Sequence, residues 1–356
     1  MAKTGVTQGA KKAQTSKSNG RLTQKALAKA LGLSPALVSR VLNNPDTPQA
    51  SEATKQRILD MVKANPGTGT LARGSDTLLV LNKPERNVFY YQTAMLNGVQ
   101  SRAGESGLKL NIASPDQDLR PYLFGAPLRG LLLTAPEAAT EQVRELAKST
   151  RVVTLNPSEH GDFTGDAVFP DYFVGMRLAV SHLVACGHTR LGYIGPRSLK
   201  VQSRDRERTR DFREACEVHA ITLDEADLHL FAHSTQDTGD REAVDAILGL
   251  WKKQKRRPTA FLVYNDRLAV KIYQAARALG IRIPDELSLI GFDNETVCEH
   301  LQPMLTSVSP EFFDLGRMAV DLLIASPEES LTLPGRKVIC PVRLIERESV
   351  CRRTED

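Results

Sequence analysis

The chain has 356 residues, 41% of them hydrophobic and 25% charged, a composition typical of a globular protein and a length that calls for two or three compact units rather than one core. No apolar run approaches the roughly 18 residues of a membrane-spanning helix, and the polar, basic first 20 residues hold no signal-peptide core. These features argue against a membrane or exported protein and point to the cytoplasm. The charge is uneven: residues 1–73 carry twelve Lys and Arg against three Asp and Glu, a net +9 in a chain whose total is +5. A basic head on a mildly acidic body suits contact with a polyanion. The five cysteines, at 186, 216, 298, 340 and 351, are odd in number, widely spaced and never in a CxxC pair. Neither a disulfide framework nor a metal site is expected.

In chain order, residues 1–20 read as a disordered basic tail. Residues 21–64 hold three short helical patterns. Thr23 is placed to cap the first, which carries Leu27 and Leu31 on one face, and Gly32 is suited to end it in the left-handed conformation. Ser34 caps the second helix and Pro35 opens it, where a missing N–H costs nothing. Val38, Val41 and Leu42 face inward. Ser51 caps the third, with Ile58, Leu59 and Val62 inward. Two short helices joined by a tight glycine turn and closed by a third fit a helix-turn-helix. Its second helix presents Pro35, Ala36, Ser39 and Arg40 outward. Arg40 can donate two hydrogen bonds to a guanine edge or bind phosphate, while Thr23, Ser34, Ser39 and Asn43 can bind phosphate oxygens.

Residues 65–75, NPGTGTLARGS, form a linker rich in Gly and Thr. Beyond it strand and helix alternate. Short apolar runs at 77–81, 108–113, 130–135, 151–156, 190–195, 259–265 and 287–293 read as strands buried on both faces. Helical patterns fall at about 91–106, 137–149, 174–186, 204–219, 238–253, 267–279 and 311–325. The alternation predicts two doubly wound parallel sheets covered by helices.

At ALAKALGLSPALVSRVLN the sequence resembles the lactose-repressor (LacI/GalR) family. The resemblance continues through SHLVACGHTRLGYIGP (181–196), PTAFLVYND (258–266), GIRIPDELSLIGFDN (280–294) and LTSVSPEFFDLGRMAVDLL (305–323), in the family's order. It implies an α-helical head joined to an α/β, periplasmic-binding-protein-like effector domain of two similar lobes linked by three crossings. It further implies a homodimer reading a near-palindromic double-stranded operator, and a small-molecule effector in the cleft. By that reading residues 76–348 are the effector-binding and dimerisation domain. Its first lobe takes about 76–172 and 303–330, its second about 173–302 and 331–348, and 349–356 are a tail. The linker departs from the family, which carries Asn where Gly69 stands and Leu where Ser75 stands. With three glycines in 67–74 a hinge helix is disfavoured, and Leu71 is the apolar candidate left for a minor-groove wedge.

Ligands of open α/β sheets bind beyond the carboxyl ends of the strands. Asn156, Asn265, Asp266 and Asp293 end three strand patterns and fit that rule, with Asp266 read first as a helix cap. The resemblance adds Arg208, at the position of the family's effector-binding Arg, and Phe89 and Tyr90 as ring faces. It also marks Asp211, where the family carries Gly. Arg, Asp and Asn around one cleft suit a polyhydroxylated or anionic ligand, a small polar metabolite such as a sugar or sugar derivative. No nucleophile elbow, P-loop or HExxH occurs, so neither an enzyme nor a cofactor is expected. The rival reading is a solute-binding module of the same two-lobed fold without a DNA role, against which the basic head argues.

Overall fold

The computed structural model describes residues 24–43, 47–64, 76–82, 90–124, 128–134, 140–157, 165–197, 204–232, 237–325 and 335–353. The expected tail, the linker with Leu71, and Thr23 and Phe89 lie outside them.

The chain divides into two compact units. The first holds helices α1 (Gln24–Leu31), α2 (Pro35–Asn43) and α3 (Glu52–Ala64). Gly32 takes φ 67° and the chain turns with Leu33 N–H donating to the Ala28 carbonyl at 2.9 Å, so α1 ends as the glycine predicts. Ser34 Oγ accepts from Leu37 N–H at 3.2 Å and Ser51 Oγ from Thr54 N–H at 3.3 Å, and these bonds begin α2 and α3. Leu27, Ala28, Val38, Val41, Leu42 and Ile58 form the core. Val62 joins it as expected and Met61 takes the place expected of Leu59, because positions three and four residues beyond Ile58 share its face. The same unit takes in Asp118–Pro127, whose short helix α5 (Arg120–Phe124) packs on α2. That segment was expected in the first lobe; five helical residues are too few to cover a sheet as a crossover helix does.

The second unit contains two six-stranded sheets. The first is built from β1 (Thr77–Leu81), β2 (Lys109–Ala113), β3 (Gly130–Leu133), β4 (Val152–Leu155), β5 (Asp166–Pro170) and β11 (Lys337–Cys340), in the order β11-β5-β4-β3-β1-β2. The second uses β6 (Leu191–Arg197), β7 (Leu228–Ala232), β8 (Ala260–Val263), β9 (Ser288–Phe292), β10 (Thr306–Ser309) and β12 (Arg343–Ile345), in the order β12-β10-β9-β8-β6-β7. Each sheet has its first strand inside and its second on the edge. All pairs are parallel except β10 with β12. The central strands β1, β3, β4, β8 and β9 are buried almost throughout, as their continuous apolar runs require. β2 is different: it is an edge strand with Ile112 57% exposed, where burial on both faces was expected. An edge position removes one neighbour that a run of apolar residues cannot reveal.

Three crossings join the lobes, and they fall at strand ends. β5 completes the first sheet and α7 (Tyr172–Ala185) covers the second. β10 completes the second sheet and α11 (Phe312–Ala325) covers the first, against α4 (Tyr90–Glu105). β11 then pairs with β5, and β12 with β10. This corrects the expected division. Residues 306–309 belong to the second sheet and β11 to the first, because backbone pairing to β9 and β5 decides membership, and the loops at 303 and 331 do not. The expected tail is also partly core. Ser349 is fully buried, its Oγ accepts from Thr306 N–H at 2.8 Å, and Arg353 N–H reaches the Cys186 carbonyl at 2.7 Å. No helix among the described residues is long and apolar enough to cross a membrane.

Candidate functional site

The carboxyl ends of the central strands and the β5–α7 crossing bring one group of side chains together. Asn156 follows β4 with φ 50°, and Asp293 follows β9 with φ 99°. Left-handed backbone at two non-glycine residues is sterically costly, and it occurs here at strand ends that turn side chains toward a common site. Tyr172 Oη donates to Asn156 Oδ1 at 2.7 Å and so ties the crossing to β4.

Arg208, on α8 (Arg204–Val218), is the centre. Its side chain is 3% exposed, Nη2 donates to Asp293 Oδ1 at 3.2 Å and Nη1 donates to the Tyr264 carbonyl. Its guanidinium lies 5.0, 4.6 and 4.3 Å from the ring centroids of Tyr172, Tyr264 and Phe292. Burial is the largest influence and works against its charge, but the Asp293 carboxylate together with the neighbouring Tyr264, Tyr172 and Tyr193 more than offsets it and holds Arg208 above the usual arginine range. Nε is buried and has no hydrogen-bond partner among the described residues. A pocket beside it is lined by Arg208, Asp171, Glu207 and Asp211, with Phe169 and Phe173.

The other expected residues divide. Asn265 caps α10 (Asp266–Leu279), its Oδ1 accepting from Leu268 N–H at 2.9 Å, so one end of its amide is engaged. Asp266 was read as that cap and is not. It is fully buried and accepts from Glu295 N–H and Ser307 Oγ, both at 2.7 Å. Burial, with Asp293 nearby, pushes its carboxyl up to about 8. Asn265 has the extended backbone a cap needs, while Asp266 is already helical. Tyr90 opens α4, but its side chain lies outside the described residues. Sequence reading missed Tyr172, Tyr264 and Phe292, the three rings around Arg208. Tyr264 and Phe292 each precede a residue that was singled out, which was the available signal.

On the head, Pro35, Ala36 and Arg40 of α2 are exposed and Ser39 is half-buried, with Ser34 exposed at the helix start. Arg40 Nη1 donates to Gln49 Oε1 at 2.6 Å. The Asn43 side chain lies outside the described residues.

The periplasmic binding protein-like domain family matches residues 180–350. Among solved structures, the transcriptional regulator CelR–cellobiose complex superposes with a TM-score of 0.62 at 23% identity, covering 92% of this chain and all of that one. The lac repressor dimer bound to operator and the anti-inducer ONPF gives 0.62 at 19%, covering 93% and 99%. Fold and comparisons together define a two-lobed α/β body of the periplasmic-binding type and a helical head with helix-turn-helix geometry. In sequence, the chain is 29% identical to the HTH-type transcriptional regulator DegA of Bacillus subtilis over 82% of this chain and 87% of the relative. It is 25% identical to catabolite control protein A of Priestia megaterium, over 91% and 97%. By sequence the chain is thus similar to HTH-type transcriptional regulators, and by fold to the lac repressor and CelR.

Proposed function

We propose that the protein is a cytoplasmic repressor whose operator affinity is set by a small polar metabolite, a sugar or sugar derivative, held at Arg208 and Asp293 between the lobes. The observation that carries this reading is the buried Arg208 guanidinium, fixed by Asp293 and three rings, with Nε lacking an acceptor beside an open pocket. A buried donor without a partner is costly, and a ligand oxygen would satisfy it. Asn156 and the free end of Asn265, with Phe89 and Tyr90, complete the proposed contacts. Related regulators have been seen with cellobiose and sucrose bound.

On the DNA side, α2 enters the major groove. Pro35, Ala36, Ser39 and Arg40 meet bases or backbone, Thr23, Ser34 and Asn43 meet phosphates, and Leu71 serves the minor groove. A homodimer presents two such heads to a near-palindromic operator. The domain scheme is a head at 21–64, a linker at 65–75 and a sensing body from 76 with the lobe membership given above. Sensing rather than catalysis is the reading that the similarity to transcription regulators supports.

The test is operator release measured by fluorescence anisotropy with the full-length protein and a panel of neutral and substituted sugars. Arg208→Ala and Asp293→Ala are expected to keep operator binding without ligand and to lose the response, at a cost on the order of 2–5 kcal/mol in ligand binding. Variants that respond as the parent does would refute the assignment.

A further inference from the structure

Helix α9 (Asp237–Lys253) ends in a run of cations that the sensing site does not use. Five of the six residues 252–257, KKQKRR, are Lys or Arg, and no Asp or Glu occurs between Asp245 and Asp266. The run is not part of a generally basic surface: the chain beyond residue 73 is net −4, being the +5 of the whole less the +9 of the head. It leads into the amino end of β8, whereas Tyr264 and Asn265 stand at the carboxyl end. The loop closes on Trp251. That side chain is 1% exposed, its Nε1 donates to the Pro258 carbonyl at 2.9 Å, and the Arg257 guanidinium lies 4.0 Å from its ring centroid. Arg257 Nη1 also donates to the Lys252 carbonyl at 3.0 Å, and Lys252 Nζ donates to the Leu279 carbonyl. These bonds hold the two ends of the loop and leave Lys253, Lys255 and Arg256 exposed. Carboxylates that lead into other strands of the sheet are already engaged. Asp285 and Glu286, before β9, each face Arg282 at 3.6 Å. Before β7, Asp224 and Asp227 pair with Arg190 at 3.1 and 2.6 Å, and Glu225 with Arg213. Glu286 also lies within electrostatic reach of Lys252 and Arg257. Lys253, Lys255 and Arg256 have no ion-pair partner among the described residues.

Cations held side by side without counter-charges repel one another and gain from a polyanion. An acidic protein is the poorer fit. Protein interfaces bury an apolar centre and are depleted in Lys, and Leu250 is the one large apolar side chain exposed between Asp237 and Val263. Single-stranded nucleic acid docks by stacking its bases on exposed aromatic rings, and Trp251, the ring at this place, is buried against Arg257. Duplex phosphates need only accessible cations. We infer that residues 252–257 are a second, sequence-independent contact for the phosphate backbone of duplex DNA, on the sensing body rather than the head. Lys253, Lys255 and Arg256 carry the contact, and Arg257 and Trp251 are positioning residues that hold the loop. The inference rests on the reading that the protein works on duplex DNA. Such a contact raises affinity for every duplex and adds nothing to operator discrimination.

The experiment is lysine footprinting of the full-length protein with a short random-sequence duplex, by brief acetylation and peptide mass spectrometry. With saturating duplex at about 50 mM salt, Lys253 and Lys255 are expected to be acetylated at least about tenfold more slowly than in the free protein, and to regain the free rate at about 500 mM. In the triple variant Lys253→Gln, Lys255→Gln, Arg256→Gln the slope of log affinity against log salt on the same duplex should fall by about two to three units, since each neutralised phosphate contributes about 0.9. All three side chains are exposed, so the variant should melt with the parent; if it does not, the footprint on the parent protein decides. Unprotected Lys253 and Lys255, an unchanged slope, or polyglutamate that protects as well as the duplex at equal charge concentration overturns the inference. Lysines of the tail and head separate this failure from a wider one. Protection of Lys17 and Lys29 without Lys253 and Lys255 would leave DNA binding by the head standing, whereas protection of none would remove duplex DNA as the target.

Discussion

Asp266 and Asn265 show how much one position along the chain changes a side chain's task. Asn265 ends a strand with extended backbone and caps the next helix. Asp266, one residue on, is fully buried and bridges Glu295 N–H and Ser307 Oγ. The space it occupies depends on Gly291, where a Cβ would stand 2.1 Å from Asp266 Oδ1. Arg40 is as local on the DNA side. In the free head it is exposed and bonded to Gln49, a contact worth little at the surface and readily exchanged for a base edge. Arg40→Ala is therefore expected to reduce discrimination of operator from scrambled duplex by about 1–3 kcal/mol, with a smaller loss on the scrambled duplex. Anisotropy titrations on both duplexes measure it, and equal losses would mean that Arg40 holds phosphate.

At the scale of elements, the first lobe depends on the crossing of α4 and α11. Gly98 and Gly316 let the two helices touch: a Cβ at Gly98 would lie 1.9 Å from the Phe313 carbonyl oxygen, and one at Gly316 2.1 Å from that of Met95. These contacts are with backbone, which cannot rotate away. Gly98→Ala or Gly316→Ala should destabilise the protein by about 1–3 kcal/mol, read as a lowered urea midpoint, despite alanine's better helix propensity. In the second lobe, His188 holds the end of the chain. One ring nitrogen lies 2.8 Å from Thr259 Oγ1 and the other 3.1 Å from the Cys351 carbonyl. Burial, then Arg353, pushes its imidazole down to about 4. The folded state thus resists protonation more than the unfolded chain, whose histidine titrates near 6.5. The stability this provides is complete above pH 6.5 and is lost as pH falls toward 4. Thermal melts across that range should show a shallower decline for His188→Gln than for the parent; parallel curves would show that His188 is not the group responsible.

For the whole molecule, strand pairing unites stretches that are remote along the chain. β11 returns to β5 and β12 to β10, so each lobe is complete only when the C-terminal segment has folded. The proposed homodimer is expected to be seen by sedimentation at micromolar concentration. A stable tetramer, or a monomer alone, would contradict this. The uneven charge belongs to this scale as well. Deleting residues 1–19, which carry Lys3, Lys11, Lys12 and Lys17, should weaken binding to every duplex and flatten its salt dependence, with the specific-to-random ratio nearly unchanged.

What the sequence determined by itself was local. Gly32, Ser34, Pro35 and Ser51 mark the helix ends of the head because capping involves only neighbouring residues. The apolar runs of β1, β3, β4, β8 and β9 mark buried strands because a strand covered on both faces must be apolar at every position. Arg208 was marked by the resemblance and Asn156 and Asp293 by their place at strand ends, and the structure brings Arg208 and Asp293 together. Tertiary structure alone decided the rest. β5, β7, β10, β11 and β12 were not read as strands. β7 and β11 are largely half-exposed or exposed, β10 is the polar run TSVS, and β12 has three residues, so none of these four carries a distinctive pattern; β5 is buried throughout, but its apolar run is only three residues between Asp166 and Pro170. The membership of β10 and β11 follows from hydrogen bonds to strands far away in the chain. The three rings around Arg208 come from α7, the end of β8 and β9; their meeting depends on how the sheet twists and where the chain crosses between lobes, which no periodicity in any one segment records.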